Sequence, residues 1–410
     1  MKLILMGFVG FLFWGCQQNP SFDKGSQSNT DQQVKELLSQ MTLEEKIGQM
    51  NQYGGFMDFT GPQPDEGQAA TKLEHIKKGW VGSMLNVHGV ENIKAVQKMA
   101  VEESRLGIPL IFGFDIVHGY KTLSPIPLAE AASWNLDLIK RSAEIAAEEA
   151  SAAGINWTFA PMVDVTRDAR WGRVMEGAGE DPYLGSLIAK ARIEGFQGED
   201  LASPHTIAAT AKHFAAYGFV EAGREYNTAE VGTTTLYNTV FPPFRAALDA
   251  DVKTVMNSFN VLNGIPATAD KFLLRDILKG KWDFDGFVIS DWDSVGELTN
   301  HGYAEDGRDA AKKAVQAGAD MDMESYHFVE ELASLVEDDE VNEKLIDDAV
   351  SRILKVKFEL GLFDDPYQYL SAEREKETVY NPKFRDDVLD VARQSIVLLK
   401  NDNNLLPLQK

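Results

Sequence analysis

Short apolar runs recur along the chain at 81–87, 108–114, 155–159, 207–214, 254–259, 287–291 and 318–323. Each is too short for a helix, and their β-branched and aromatic residues suit strands covered on both faces, as in a parallel sheet. Between them the apolar positions fall at helical spacing over 137–153, closed by Gly154, and over 184–197, 235–250, 271–280 and 307–317; a further helix over 342–360 ends at Gly361. Thr30 and Thr42 each precede a Gln or Glu by three residues, a capping-box signal for two N-terminal helices. Roughly seven β–α repeats over about 300 residues predict an α/β fold, a (β/α)8 TIM-type barrel. An open doubly wound sheet ranks behind it, because no G-x-G-x-x-G follows an early strand.

The ends of the chain read differently. Residues 1–16 hold one positive charge, a short apolar run and then Gly15-Cys16, the only cysteine. This is the pattern of a signal peptide, and it resembles a lipoprotein signal in which Cys16 becomes a lipidated N-terminus. An exported protein of the periplasm or outer membrane is expected, with membrane contact only through that anchor. Residues 17–30 are polar and read as a flexible tether. The barrel domain is expected over 31–363, a Pro- and Tyr-containing linker over 364–387, and the first element or two of a further domain over 388–410.

Composition narrows the function. With 63 acidic and 40 basic residues the formal charge is −23, which opposes nucleic acid and anionic surfaces as partners. Intramolecular disulfides are impossible with one cysteine.

The polar residues that close the apolar runs are carboxylates, cations and indoles. Asp115 follows the run at 108–114, Lys212-His213 close the run from 207, and Asp291-Trp292 close the run from 287. Barrel enzymes place their chemistry at strand carboxyl ends. Carboxylates and cations bond vicinal hydroxyls, and an indole face covers the C–H surface of a sugar ring. A carboxylate attacking an anomeric carbon must be ionised, which neighbouring cations favour. Each residue also has a plain structural reading. Asp291 could cap the following helix, Arg173 could pair with Glu176 or Glu180, and His213 could be a satisfied core histidine. Arg224 has Glu221 and Glu225 beside it, and Asp164, Asp168 and Glu180 read as carboxylates bracing their loop.

Six motifs occur in order: GFDIVHG at 113–119, RWGR at 170–173, GEDP at 179–182, KHFAAYG at 212–218, GREY at 223–226 and SDW at 290–292. Together they resemble glycoside hydrolase family 3, of the bacterial periplasmic β-glucosidase type, over roughly residues 31–410. RQSIVLLKN at 393–401 resembles the opening of that family's second domain, an α/β sandwich. The resemblance implies an exo-acting retaining β-glycosidase that releases non-reducing terminal β-D-glucose, with no metal or other cofactor. Asp291 would be the nucleophile; Asp115, Arg173, Lys212, His213, Arg224, Met256 and Trp292 would hold the substrate. The family's general acid/base is a glutamate of the second domain, absent from these 410 residues. The loop 219–227 has neither His nor Asp, so the one-domain solution of the family's N-acetylglucosaminidases is not evident. A first half of an enzyme, feeble alone on alkyl glucosides, is therefore expected. The alternatives are a β-xylosidase, a non-catalytic glycan-binding lipoprotein and a metal-dependent hydrolase using His118 and His213, although metal-ligand spacing is missing. Sugar preference and oligomeric state are not legible.

Overall fold

The computed structural model describes residues 24–55 and 67–409, so the leader and Cys16 lie outside the described residues. Parallel strands alternate with helices throughout. In one sheet β1 (Asn51–Gly54), β2 (Ser83–Leu85), β3 (Ile111–Phe114) and β4 (Trp157–Thr158) follow one another, and β8 (Asp322–Met323) pairs with the outer edge of β1. In a second sheet β5 (Thr210–Phe214), β6 (Thr254–Asn257) and β7 (Phe287–Ile289) run parallel in that order. Parallel bridges Trp157↔Ala208 and Ile289↔Met321 run between the two sheets. The chain thus has an α/β fold of the TIM-barrel type.

The apolar runs became strands because their side chains meet one another. Trp157, Phe159 and Phe287 pack edge to face at ring separations of 4.7 and 5.3 Å. The buried Trp157 Nε1 donates to Thr210 Oγ1 and Thr254 Oγ1, each at 2.9 Å, which satisfies a polar atom amid apolar packing and ties β4 to β5 and β6. Gly286 lets β7 start against its neighbour, since a Cβ there would stand 2.1 Å from the Lys253 carbonyl oxygen.

β1 has no counterpart among the sequence-predicted strands. Its residues are Asn, Gln, Tyr and Gly, and all four are buried. Burial of a polar strand is possible because Asn51 Nδ2 donates to the Trp80 carbonyl at 3.0 Å and Gln52 Nε2 donates to Ser83 Oγ at 2.9 Å.

The helices carry the caps their sequences promise. Asn135, Asp181, Asp306 and Asn342 cap helices Leu136–Ala152, Pro182–Gln197, Gly307–Ala317 and Glu343–Glu359. Thr42 and Glu45 form the reciprocal capping box at Leu43–Gln49. The signal at Thr30 is overridden: helix Lys24–Leu38 runs straight through it, occupying part of the expected tether. The expected linker is also structured. It contains helix Ala372–Thr378 and the start of helix Pro382–Gln394, which runs on past position 388. That second helix packs on Leu136–Ala152 through Arg141 Nε to Asp387 Oδ2 at 3.0 Å and through the buried Phe384. Beyond it Ile396, Val397, Leu398 and Leu399 are exposed.

Candidate active site

The carboxyl ends of β3, β4, β5 and β7 deliver one cluster of ionisable groups. Asp115 follows β3 directly, and its Oδ1 accepts from Lys212 Nζ of β5 at 3.0 Å. His213, next along β5, has no exposed side-chain surface. Its Nδ1 and its backbone N–H both point at Asp164 Oδ2, at 2.9 and 2.8 Å. The other ring nitrogen, Nε2, is buried without a hydrogen-bond partner and stands 3.6 Å from Asp291 Oδ2.

Asp291 owes its position to the turn after β7. Ser290 N–H donates to the Met321 carbonyl at 2.8 Å, Ser290 Oγ accepts from Met323 N–H at 2.8 Å, and Asp293 N–H donates to the Met323 carbonyl at 2.9 Å. The turn is thereby fixed to β8, and Asp291 emerges recessed, its side chain 13% exposed. Its Oδ1 accepts from Trp292 N–H at 2.7 Å, while the Trp292 indole is half exposed at the rim.

Burial dominates the electrostatics and pushes Asp291 up to about 6; Lys212, Arg173 and the Trp292 N–H pull down, and Asp115 adds to the rise. Asp164 is pushed up to about 7 by burial against the opposing His213 N–H and Arg173. His213 falls well below its ordinary value through burial, with Arg173 and Lys212 adding to the fall.

Arg173 is half-buried and grips Glu176 with both arms, Nε to Oε1 at 2.7 Å and Nη2 to Oε2 at 2.9 Å, while lying over the Tyr217 ring. The pairing with Glu176 is the one its plain structural reading expects, and the paired guanidinium also acts on Asp291. Met256 is buried at the end of β6, in register with Lys212 on one side and Ile289 on the other. Arg224 is exposed, and among the described residues its side chain has no hydrogen bond or ion pair; the loop 219–227 turns it outward. The same loop sends Tyr226 onto Phe259 at 4.7 Å and Glu225 to accept from the Tyr217 hydroxyl.

Three groups at the site were not legible in the sequence. Asp164 reads as a loop brace and instead holds His213, whereas Asp168 does brace its loop by pairing with Arg170 at 2.6 Å. Glu297, six residues after Asp291, has a buried Oε2 without a partner and is pushed up to about 7 by burial, with Asp293 and Asp291 contributing. Glu324, after β8, accepts from Gly54 N–H at 2.5 Å and Lys72 Nζ at 2.6 Å. The Trp292 ring edge lies against Gly54, where an added Cβ would be 3.3 Å from Cη2. Among the described residues no group of three or more His, Cys, Asp or Glu is arranged to hold a metal ion.

Fold and site define a class: a parallel α/β domain of the TIM-barrel type with a recessed carboxylate set among cations and a rim indole. Residues 42–356 match the family model "Glycosyl hydrolase family 3 N terminal domain". The chain is 41% identical over 380 residues to the periplasmic β-glucosidase of Salmonella typhimurium, covering 92% of this chain and 49% of that protein. It is 32% identical over 435 residues to a putative β-xylosidase of Formosa agariphila, covering 100% of this chain and 57% of that protein. The crystal structure of β-glucosidase from Listeria innocua in complex with isofagomine matches with a TM-score of 0.86 and 43% identity, over 92% of this chain and 52% of that one. The chain belongs to glycoside hydrolase family 3. It spans about half the length of the curated relatives it matches.

Proposed function

We propose that this chain is the barrel half of an exo-acting retaining β-glycosidase that releases non-reducing terminal β-D-glucose from oligosaccharides or glycosides. The single observation that carries the reading is the recessed Asp291 carboxylate facing His213, Lys212 and Arg173 at the end of β7. Asp291 attacks the anomeric carbon and forms a covalent glycosyl-enzyme, which water then opens with net retention. Lys212 and Arg173 favour its ionised form; Asp115, Lys212, His213 and Met256 line the space for the sugar, and Trp292 walls it. Arg173 acts there as a Glu176-paired cation, and Arg224, exposed in the free chain, reaches the sugar only if its loop turns inward. The general acid/base falls to a glutamate of the family's second domain.

The parallel bridges Trp157↔Ala208 and Ile289↔Met321 support a barrel closed by all eight strands. Export rests on the leader sequence and on the periplasmic relative, and a lipid anchor on Cys16 rests on the leader sequence alone. The β-xylosidase relatives favour xylosides as the second reading, since the two sugars differ by one CH2OH. Hydrolysis of 4-nitrophenyl β-glucoside and β-xyloside, followed by NMR, tests the proposal. The β-anomer should appear first and the glucoside should react faster; first appearance of the α-anomer overturns retention.

A further inference from the structure

Two groups beside Asp291 have no part in attack or in holding the terminal sugar: Tyr226 and Glu297. Tyr226 sits in a left-handed backbone conformation, φ 60°, which a bulky aromatic residue rarely adopts, so its surroundings impose it. Two contacts do so. Gly223 runs so close to the neighbouring loop that a Cβ there would stand 2.6 Å from the Trp171 nitrogen, and Glu225 accepts from the Tyr217 hydroxyl. The Tyr226 ring is thereby laid on Phe259 at 4.7 Å, yet 48% of the residue stays exposed. Glu297 opens the short helix Glu297–Asn300, and its N–H donates to the Asp293 carbonyl at 2.9 Å, which fixes it to the turn that carries Asp291. Its Oε2 is buried without a partner among the described residues, a costly state that a ligand hydroxyl would relieve. Burial raises the pKa of the Tyr226 phenol, and Glu297 and then Asp291 raise it further, so the hydroxyl lies within the field of both carboxyls.

Depth in the cleft decides what these groups touch. Asp291 and Lys212 lie at the floor, with side chains 13% and 4% exposed, and the terminal sugar must descend to them. Tyr226 and Trp292 are half exposed, at 48% and 49%, and stand at the mouth, where the departing group lies. An aromatic face covers the C–H surface of a sugar ring, while a phenol and a carboxyl bond hydroxyls. We propose that Tyr226 and Glu297 form the leaving-group subsite of this chain, the Tyr226 ring covering a second sugar and the Glu297 carboxyl bonding its hydroxyls. A leaving group without hydroxyls leaves Oε2 stranded, and a stranded polar group discriminates more strongly than an apolar wall does. The subsite therefore selects a sugar over an alkyl chain.

The inference rests on the reading of Asp291 as nucleophile, and its test separates the two. The full chain is first labelled to completion with 2,4-dinitrophenyl 2-deoxy-2-fluoro-β-D-glucopyranoside, whose leaving group needs no general acid, so that the inner sugar position is filled. Methyl β-D-glucopyranoside is then titrated into the labelled chain and its binding followed by ligand-detected NMR. Saturable binding is expected, weakened about 10-fold or more in Tyr226→Ala and in Glu297→Leu. Tyr226→Phe keeps the ring and loses one hydrogen bond, so it should weaken binding by roughly 2–10-fold. Absence of saturable binding to the labelled wild-type chain, or unchanged affinity in Tyr226→Ala or Glu297→Leu, overturns the inference. The wild-type chain supplies a second readout. Tetranitromethane nitrates accessible tyrosines, and saturating methyl glucoside should slow nitration of Tyr226 several-fold while the exposed Tyr183 and Tyr380 react as before. Unslowed nitration of Tyr226 overturns the inference whether or not the variants fold. A wild-type label found away from Asp291 is a different failure: it defeats the nucleophile assignment and the subsite with it.

Discussion

Lys212 and Asp115 are 97 positions apart in sequence, and their side chains meet at 3.0 Å across the ends of β5 and β3. The lysine is almost fully buried, at 4%, while the aspartate is about half exposed, so the pair holds a cation inside the cleft. That cation also acts on Asp291, pulling its carboxyl down against burial. Replacing it with an uncharged chain of similar length leaves burial unopposed. Lys212→Met is expected to move the acid limb of the labelling rate to higher pH and to lower kcat/KM by about 10²-fold or more, as loss of one preorganised charge does. A pH–rate profile on an activated glucoside reads both effects.

Burial of Asp291 has a stability consequence whose sign is fixed. Its folded value, about 6, lies above the ordinary 3.8, so the folded chain holds its proton more tightly than the unfolded chain does. Stability from this group is greatest below pH about 4 and falls as pH rises through about 6. Asp291→Asn removes the charge and keeps an acceptor for the Trp292 N–H. It should therefore be inactive yet more stable than wild type at pH 7–8, by of order 2 kcal/mol. Thermal melts at pH 4 and pH 8 check this, with most of the gain expected only at the higher pH.

Beneath the helices Arg192 Nη1 meets Glu130 Oε2 at 2.6 Å, with 4% and 1% side-chain exposure. Removing either partner strands a buried charge, so Arg192→Ala and Glu130→Ala should each cost about 3–5 kcal/mol in urea unfolding. The double variant should cost less than the sum of the two.

How much of this was legible beforehand follows from the chemistry of each segment. Strands β2 to β8 announce themselves because each lies within or at the end of an apolar run between helical patterns, and Asp115, Lys212 and Asp291 because they end such runs. β1 was invisible, since Asn51 and Gln52 are buried through hydrogen bonds to Trp80 and Ser83 that no local pattern encodes. The same holds for Asp164 and Glu324, whose partners His213 and Lys72 lie far along the chain. Arg224 stood out by its motif, but a short loop decides where a long side chain points. Thr30 failed as a helix start because a capping signal is local, and helix Lys24–Leu38 packs its later turns, including Val34, into the core.

Gly54 sits where β1 meets the rim indole. A methyl group there would stand 2.4 Å from Glu324 Oε1 and 3.3 Å from Trp292 Cη2. Gly54→Ala should push Glu324 aside and tilt the indole, at about 1–3 kcal/mol in stability. The expected kinetic signature is a raised KM for disaccharides and aryl glucosides alike, with a smaller change in kcat. Steady-state kinetics on both substrate types would separate this from a general loss of folding.

The most direct measurement is the position of the covalent label. After reaction with the 2-fluoro glucoside, peptide mass spectrometry should find the sugar on Asp291 in the wild-type chain and no label in Asp291→Asn. A label on another carboxylate, such as Glu297, or unchanged labelling of the variant, would contradict the account.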